Sequence, residues 1–517
     1  MWAVRGSTGR QHFLIGLWAG TVTNLGGFYW IAGMLVDFGH MSALPAWLIT
    51  LLMVTYQGLV FGLWTWLLHA LRGLGHGAWL LAPLCYVAAE SLVWFIFPWY
   101  YGNSQYLAIP LIQVCELGGV TLLSFLLLVS NGALFDALQA VLARRKWAAV
   151  RMGALAVCVP AAMALYGLVR MSMLDAEIEH ADKLAIGLVE ADVGIWEKED
   201  RRKVEDNLVR HQRLSIELER RGAELIVWPE TAYPSRHAFA RLQGRSRMEL
   251  HRDRALPRNA AQLPQSRVPP PLHATEDRAA RVAWLDRRAP QRGFRTPLLF
   301  GALTSGEKRA DRSGHHSGRY QYNTALLLDE QGKVLGAYDK VYLLLFGETI
   351  PFSEHFPVVY EWLPEAGDVT PGETVVSLPF REHRLGIMIC YEDILPAFIR
   401  QVARTRPHVL INLTNDAWFG KTSEPYLHMA LAVFRTVESR LALVRSTNTG
   451  VSCFVDPVGR ILAETSLEGD ETLLGRVPMM EGGTLYQKLG DWPAYGAILT
   501  VAILLLRVWR GRRRRSA

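Results

Sequence analysis

The chain has 517 residues, of which 50% are hydrophobic and 20% are charged. Its 17 Trp, 17 Tyr and 19 Phe exclude a disordered chain, and its length excludes a single small domain. The 55 basic residues exceed the 48 acidic ones, giving a net charge of +7 that is compatible with nucleic-acid binding. The basic residues lie between and after apolar segments, however, which favours a role in membrane topology over binding to nucleic acid.

The first third of the sequence consists of apolar segments long enough to cross a membrane. A bilayer core of about 30 Å requires roughly 20 helical residues. Several such segments in succession indicate a polytopic membrane protein and exclude a single signal peptide. They are residues 13–36, 45–69, 78–99, 111–138 and 148–171, with a further segment at 494–509. We therefore predict a transmembrane helical domain of about five spans in residues 1–175 and a C-terminal transmembrane helix at 494–509.

Basic residues lie at alternate ends of these segments. They precede the first segment, recur around Arg72 and at 144–146, and close the chain at 510–515, whereas loops 37–44 and 100–110 contain neither Lys nor Arg. The positive-inside rule then predicts that the basic ends face the cytoplasm. Residues 510–517 would form a basic cytoplasmic tail, and the large segment between the last two spans would face outward.

Residues 181–480 alternate between strand-like and helix-like patterns, which is typical of an α/β or α+β layered sandwich outside the membrane. A helix is predicted at 200–221, and turns between hairpin strands at 329–332 and 456–459. Residues 235–295, rich in Arg, Pro, Gln and Ala, indicate a long and partly disordered insertion. The predicted strands are 184–189, 224–228, 298–303, 324–328, 333–338, 385–389, 408–413 and 451–455.

Three residues beside predicted strands are candidates for a catalytic site. Glu230 lies between two prolines, Lys340 follows residues 333–338, and Cys390 follows residues 385–389. A carboxylate could serve there as a general base, a lysine as a cation for an oxyanion, and a thiol as a nucleophile. Taken singly, a surface glutamate, a solvated lysine and a buried structural cysteine are simpler explanations.

A histidine close to the cysteine would indicate a papain-like pair. The sequence contains four histidines that could fill this role, and none of them stands in a recognisable signature: His355, His383, His408 and His428. We therefore expect these histidines to be surface residues, or buried ones with satisfied hydrogen bonds.

Taken together, Glu230, Lys340 and Cys390 resemble the Glu-Lys-Cys triad of the nitrilase superfamily. With spans before and after it, the chain resembles the apolipoprotein N-acyltransferase family of bacterial inner membranes over nearly its whole length. Supporting motifs are Val-Trp-Pro-Glu-Thr-Ala at 227–232, Phe-Gly-Glu-Thr-Ile-Pro-Phe at 346–352, Cys-Tyr-Glu at 390–392, Asn-Asp-Ala-Trp-Phe-Gly at 415–420 and Arg-Ser-Thr-Asn-Thr-Gly at 445–450.

The resemblance implies an αββα sandwich and a two-step acyl transfer. Glu230 would act as general base, Lys340 as oxyanion stabiliser and Cys390 as nucleophile. The acyl donor would be a phospholipid, and the acceptor the N-terminal amine of a diacylglyceryl-cysteine lipoprotein. We expect a monomer in the bacterial inner membrane, with the catalytic domain on the periplasmic side and without a metal, cofactor or nucleic-acid partner.

Further residues are assigned by the same resemblance. Glu348, Tyr391 and Glu392 would support the triad; for the two glutamates ordinary salt bridging is the alternative, and it does not exclude that role. Four aromatic residues would form lipid-facing arms, with core packing as the alternative: Tyr360, Trp362, Trp418 and Phe419.

The chain differs from the family's usual pattern in three ways. Family members usually carry further N-terminal spans, insertion 235–295 is unusually long, and Val-Tyr-Leu-Leu-Leu-Phe at 341–346 replaces a common His-Leu-Val-Pro-Phe. Two other functions stay open at this point. One is a membrane-tethered amidase of the same superfamily, and the other is a catalytically inactive membrane binding protein.

Overall fold

The computed structural model describes residues 6–194, 197–198, 203–233, 290–307, 319–345, 347–349 and 369–516. Most of the predicted insertion, together with Tyr360, Trp362 and His355, therefore lies outside the described residues. The chain divides into two compact units. The first comprises Met1–Glu177, Val437–Ser439 and Gly483–Ala517, and the second comprises Ile178–Thr436 and Arg440–Gly482.

The first unit is helical. Among the described residues, four helices are long and apolar enough to cross a membrane: Ala43–Leu74, Cys115–Leu142, Lys146–His180 and Trp492–Arg513. The last of these belongs to a helix that continues to Ser516, through most of the predicted tail. Among the described residues of this unit, the remaining α-helices are Gly9–Phe28, Trp30–Asp37, Ala78–Leu92, Ile109–Ile112 and Leu485–Leu489, with a short 3-10 helix at Tyr101–Gln105.

Three predicted spans differ from the helices that form. Residues 13–36 contain two helices, separated at Tyr29. Residues 78–99 form a helix only to Leu92, because the backbone is already extended at the next residue, Val93. In residues 111–138 the helical dihedral angles are interrupted at Gly118 and Gly119, where φ is +67° at the second glycine. Mean hydropathy does not register these interruptions, since the residues around them are equally apolar.

Small residues bring two helices of this unit into backbone contact. A Cβ added to Gly20 would lie 2.7 Å from the carbonyl oxygen of Gly58, and one added to Gly58 would lie 2.8 Å from the backbone nitrogen of Thr21. Helices Gly9–Phe28 and Ala43–Leu71 can pack this closely because these positions carry no side chain.

The second unit contains two six-stranded sheets, and each has three parallel strands at its centre. The first sheet has the order β12-β1-β2-β3-β4-β5, with β1 Lys183–Glu190, β2 Leu225–Val227, β3 Leu298–Glu307, β4 Arg319–Leu328, β5 Val334–Asp339 and β12 Glu471–Pro478. The second has the order β11-β10-β9-β8-β7-β6, with β6 Ser377–Phe380, β7 His383–Ile389, β8 Val409–Thr414, β9 Leu443–Thr447, β10 Cys453–Val455 and β11 Ile461–Glu464.

Helices cover the outer faces of the two sheets. Helix Val204–Arg220 packs on the first sheet, where Leu218 lies against Gly187 of β1. Helix Pro396–Arg404 packs on the second, where Val402 lies against Gly386 of β7. A third helix, Glu424–Ser439, begins in the same unit. The arrangement confirms the predicted αββα sandwich.

Glu190 of β1 connects the two sheets through hydrogen bonds. It is 1% exposed, and one of its carboxylate oxygens accepts hydrogen bonds from Thr447 at 3.2 Å, Ser452 at 2.6 Å and Thr465 at 2.6 Å. Burial raises the pKa of Glu190 to about 7, although the three hydroxyl groups oppose this shift.

Both predicted hairpin turns form. Residues 329–332 join β4 to β5, and 456–459 join β10 to β11. Four strands were not predicted: β6, β9, β11 and β12. Strand β9 is fully buried although its sequence is Leu-Val-Arg-Ser-Thr. It was not predicted because three of its five residues are polar. The end of the predicted insertion is also packed, because Phe294 belongs to the hydrophobic core and is 1% exposed.

Gly301 of β3 should be intolerant of any side chain. A Cβ there would lie 2.5 Å from the backbone nitrogen of Thr231 and 2.7 Å from Cα of Glu230. We expect Gly301→Ala to lower the free energy of unfolding by about 1–3 kcal/mol, because backbone atoms must move. Thermal unfolding of the purified full chain tests this. Gly194→Ala is the control, since its nearest neighbouring atom would be 4.0 Å away; equal midpoints for the two variants would contradict the prediction.

Candidate active site

The three candidate residues lie directly beyond the ends of strands. Glu230 follows β2 of the first sheet, Lys340 follows β5 of the same sheet, and Cys390 follows β7 of the second. The residues are 6%, 1% and 7% exposed, respectively. Surface glutamate and solvated lysine, the simpler explanations for two of them, are therefore excluded.

Lys340 forms salt bridges with two carboxylates. Its Nζ lies 3.3 Å from Oε1 of Glu230 and 2.7 Å from Oε2 of Glu348. Asn323 on β4 fixes both acids, since its Nδ2 donates to Oε1 of Glu230 at 2.6 Å and to Oε1 of Glu348 at 3.1 Å. The backbone N–H of Leu344 also donates to Glu348, at 2.8 Å. The ammonium group thus has two oriented anionic partners.

Burial and the neighbouring charges set the protonation of this group. Burial raises the pKa of Glu230, although Lys340 opposes the shift. Burial lowers the pKa of Lys340, but Glu230 and Glu348 raise it more, so the net pKa lies well above its usual value. The lysine therefore remains an ammonium ion, while Glu230 has a higher proton affinity than an exposed glutamate.

Cys390 has a left-handed backbone, with φ of +52°. This conformation is costly for a residue with a side chain, and such strain is common at functional sites. Asn412 on β8 supports it, because its Nδ2 donates to the carbonyl oxygen of Cys390 at 3.0 Å. Burial raises the pKa of the thiol well above its usual value, Glu230 raises it further, and Lys340 opposes both. The thiol therefore shares one electrostatic environment with Glu230 and Lys340, and it is neutral at rest.

Glu392 connects the segments that carry the lysine and the cysteine. It is fully buried and accepts hydrogen bonds from the backbone N–H groups of Val341 at 2.7 Å, Tyr342 at 3.0 Å and Ile389 at 2.8 Å. The hydroxyl group of Tyr338 donates to the same carboxylate at 2.8 Å. One carboxylate therefore joins the segment after β5 to the turn after β7.

The other predicted site residues have different surroundings. Tyr391 is partly buried, and burial raises the pKa of its hydroxyl group. Trp418 is 41% exposed, whereas Phe419 is 7% exposed. Phe419 therefore has the burial of a core aromatic residue, the alternative to a lipid-facing arm.

Two residues next to Glu230 were not identified from the sequence. Asn323 bridges the two carboxylates, as described above. Lys198 donates through Nζ to the backbone oxygen of Glu230 and to Oγ1 of Thr231, both at 3.2 Å. Burial lowers the pKa of Lys198 to about 8. Neither residue stands in a motif of its own, so only the folded arrangement reveals these contacts.

A buried charge network lies beyond the cysteine. His428 contacts Oδ1 of Asp393 at 2.8 Å through Nε2 and Oδ1 of Asp416 at 3.0 Å through Nδ1. Arg445 of β9 contacts the same two aspartates at 3.4 and 3.0 Å. Burial and Arg445 lower the pKa of His428, but the aspartates raise it more, to about 10. This histidine is buried and has satisfied hydrogen bonds, as predicted.

The same network contains potential metal ligands. One atom from each of Asp416, Glu424 and His428 lies within 4.8 Å of the others. Asp416 and His428 already form a salt bridge with each other, and Arg445 forms a salt bridge with the second carboxylate oxygen of Asp416. The aspartates are therefore neutralised by cationic side chains of the chain itself.

Comparison with known proteins identifies the family of the chain. Residues 199–485 match the family model described as Carbon-nitrogen hydrolase, which covers more than half of the chain. The chain belongs to the carbon-nitrogen hydrolase family, and the resemblance to the nitrilase superfamily is confirmed. Residues 1–133 match a second model, described as Apolipoprotein N-acyltransferase N-terminal domain.

Some relatives of the chain align with nearly its whole length. The chain is 29% identical to an apolipoprotein N-acyltransferase of Geobacter metallireducens, over 97% of this chain and 88% of the relative. It is 28% identical to one of Pseudomonas putida, again over 97% of this chain and 88% of the relative. A solved amidase from Nesterenkonia sp. is 18% identical over 61% of this chain and 96% of its own, with a TM-score of 0.37.

Removal of the Glu392 carboxylate should destabilise the second unit. Glu392→Ala leaves the backbone donors of Val341, Tyr342 and Ile389 without their acceptor, at about 1–3 kcal/mol for each one that water does not reach. We expect a lower thermal unfolding midpoint for the full chain in detergent. Glu382→Ala, an exposed glutamate in the hairpin between β6 and β7, should leave the midpoint unchanged. A Glu392→Ala midpoint equal to that of the control would be inconsistent with this role.

His428 should make stability depend on pH in the alkaline range. Its folded pKa of about 10 lies above the ordinary value of 6.5, so its contribution is complete below about pH 6.5 and is lost as the pH rises through 10. The difference in unfolding midpoint between the natural chain and His428→Gln should therefore shrink from pH 6 toward pH 10. A difference that stays constant over this range would show that His428 is not charged in the folded protein.

Proposed function

We propose that this protein is an N-acyltransferase that moves a fatty acyl chain from a phospholipid, through a thioester on Cys390, to the N-terminal amine of a diacylglyceryl-cysteine lipoprotein. The observation that carries this proposal is similarity along 97% of the chain to proteins named Apolipoprotein N-acyltransferase. The buried Glu230–Lys340 pair beside a thiol at a strand end supplies the required chemistry.

The first step forms the thioester. Cys390 transfers its S–H proton to the Glu230 carboxylate, and the thiolate attacks the ester carbonyl of the phospholipid. An S–C bond forms while the carbonyl electron pair moves to oxygen. Lys340 and the backbone N–H of Tyr391 stabilise this oxyanion, each by roughly 2–4 kcal/mol. When the intermediate collapses, the C–O bond breaks, and the lysophospholipid leaves with the proton held by Glu230.

The second step transfers the acyl chain to the lipoprotein. The free amine attacks the thioester carbonyl and gives one proton to Glu230. An N–C bond forms, the S–C bond breaks, and the thiolate recovers the proton from Glu230. Lys340 keeps its charge in both steps, because its pKa lies well above the usual value. The products are an amide-linked acyl chain and the original thiol.

Supporting residues would act through the triad. Glu348 would hold Lys340, Glu392 would hold the turn of the cysteine, and the N–H of Tyr391 would bind the oxyanion. The exposed Trp418 would contact an acyl chain, and the same role is proposed for Tyr360 and Trp362. For Phe419, its burial favours a packing role instead.

The chemistry accounts for a membrane location. Both substrates carry fatty chains, so the thiol has to be held at a bilayer surface. We place the protein in the bacterial inner membrane as a monomer, with residues 181–480 on the periplasmic side. Residues 1–175 and 494–509 would supply the transmembrane helices, and the Arg-rich residues 510–517 would face the cytoplasm.

Hydrolysis of a C–N bond is the competing activity, because the matching family model is described as Carbon-nitrogen hydrolase and the proposed triad is compatible with water as acceptor. The match of residues 1–133 to the N-terminal domain of apolipoprotein N-acyltransferases favours acyl transfer. A membrane binding protein without activity is disfavoured by the buried arrangement of Glu230, Lys340 and Cys390.

Mass spectrometry of the purified chain mixed with phospholipid tests the first step. We expect a mass increase of one acyl chain that hydroxylamine removes and that Cys390→Ala abolishes. Cys158→Ala should retain the adduct, because this exposed cysteine lies in a helix of the first unit. A diacylated lipopeptide should then discharge the adduct and become triacylated. Discharge by water with no lipopeptide product would favour hydrolysis, and a folded sample without any adduct would refute both activities.

A further inference from the structure

Thr414 lies beside the cysteine at the end of the neighbouring strand. Strands β7 and β8 are parallel, and Ile389 is paired with Leu413. Cys390 directly follows Ile389 at the end of β7, and Thr414 directly follows Leu413 as the last residue of β8, so the two residues lie at the same end of neighbouring strands. Thr414 is fully buried, and hydrogen bonding by its side chain opposes the rise that burial causes in the pKa of the Cys390 thiol.

The hydroxyl group of Thr414 has a second partner. Oγ1 donates to Oδ1 of Asp416 at 3.5 Å, which is a long hydrogen bond. A hydroxyl group has one hydrogen to donate but can accept from others. While the thiol is protonated, its S–H can donate to Oγ1, and Thr414 can donate to Asp416. A thiolate has no hydrogen and needs a donor.

Asp416 does not depend on Thr414. Its Oδ1 is held by Nδ1 of His428 at 3.0 Å and its Oδ2 by a guanidinium nitrogen of Arg445 at 3.0 Å. The other ring nitrogen of His428 is fixed by Asp393, three residues after Cys390. With two cationic partners in place, the carboxylate loses little when a long bond from a neutral hydroxyl group breaks.

The charges around the thiol make an additional donor useful. Glu230 and Asp416 both disfavour a thiolate, and Lys340 is the cation that favours it. Lys340 is shared between two carboxylates, which weakens its effect on sulfur. A neutral donor stabilises the thiolate without adding a charge to the buried site.

We propose that Thr414 turns its hydroxyl hydrogen from Asp416 to the Cys390 sulfur when the thiol is deprotonated, and so stabilises the nucleophile. The inference rests on the proposed function, because it concerns the same cysteine. The thiol proton goes to Glu230, and the threonine O–H bond stays intact throughout. Thr414 is thus a hydrogen-bond donor to the reacting atom, and Asp416, His428 and Arg445 are positioning residues behind it.

Thr414→Ser and Thr414→Ala form a matched pair, because both lack the methyl group and they differ in the hydroxyl group. The full chain in detergent is treated with iodoacetamide, and the Cys390 peptide is quantified by mass spectrometry across pH. We expect the Ala variant to be alkylated about tenfold more slowly than the Ser variant at a fixed pH below the thiol pKa. Its pH midpoint should be about one unit higher. Thioester formation with phospholipid should slow by a similar factor.

Equal alkylation profiles for the Ser and Ala variants would overturn the proposal. If Thr414→Ala has a lower unfolding midpoint, the near-isosteric Thr414→Val is compared with the natural chain instead. Equal alkylation profiles for these two proteins would also overturn the proposal. Because alkylation needs no lipid, it tests the role of Thr414 independently of the proposed acyltransferase function. A natural chain that is alkylated but forms no acyl adduct would refute the proposed function, whereas a normal adduct with identical profiles would refute the role of Thr414 only.

Discussion

Lys340 carries its charge with 1% of its surface exposed, and the rest of the site follows from how that charge is neutralised. An ammonium group removed from water requires oriented anionic partners, and Glu230 and Glu348 provide them. Two carboxylates around one cation leave one negative charge in excess. The excess can be removed by a proton on Glu230, whose pKa burial raises, while the lysine stays charged. In the proposed mechanism, Glu230 then acts as a proton acceptor beside a fixed cation, the combination that acyl transfer from an ester requires.

The site is assembled from both sheets. The first sheet supplies the carboxylate and the lysine through β2 and β5, and the second supplies the thiol through β7. Their relative positions are fixed by polar contacts and not by apolar packing alone. Glu392 binds backbone N–H groups on both sides, and Asn412 holds the carbonyl group of the strained Cys390.

The sequence predicted the strands in which apolar residues are continuous, such as β1 and β7, and its motifs pointed to the three candidate site residues that the structure places beyond strand ends. It concealed β9, because Arg445 within that strand is neutralised by aspartates from distant segments. It also concealed Asn323 and Thr414, whose contacts depend on strand register and on long-range pairing. In the helical unit, hydropathy located the apolar segments but not the break at Gly118 and Gly119, which is a matter of backbone dihedral angles.

Glu190 adds a property that concerns the environment of the protein. Its folded pKa of about 7 lies above the ordinary 4.5, so its contribution to the packing of the two sheets is greatest below about pH 4.5 and declines as the pH rises through 7. Mild acid therefore strengthens the contact between the sheets at this position. A domain that faces the space outside the cytoplasmic membrane, as we propose, is not buffered by the cell interior. When the medium around the bacterium becomes more acidic, this buried carboxyl group would then stabilise the contact between the two sheets more strongly than it does at neutral pH.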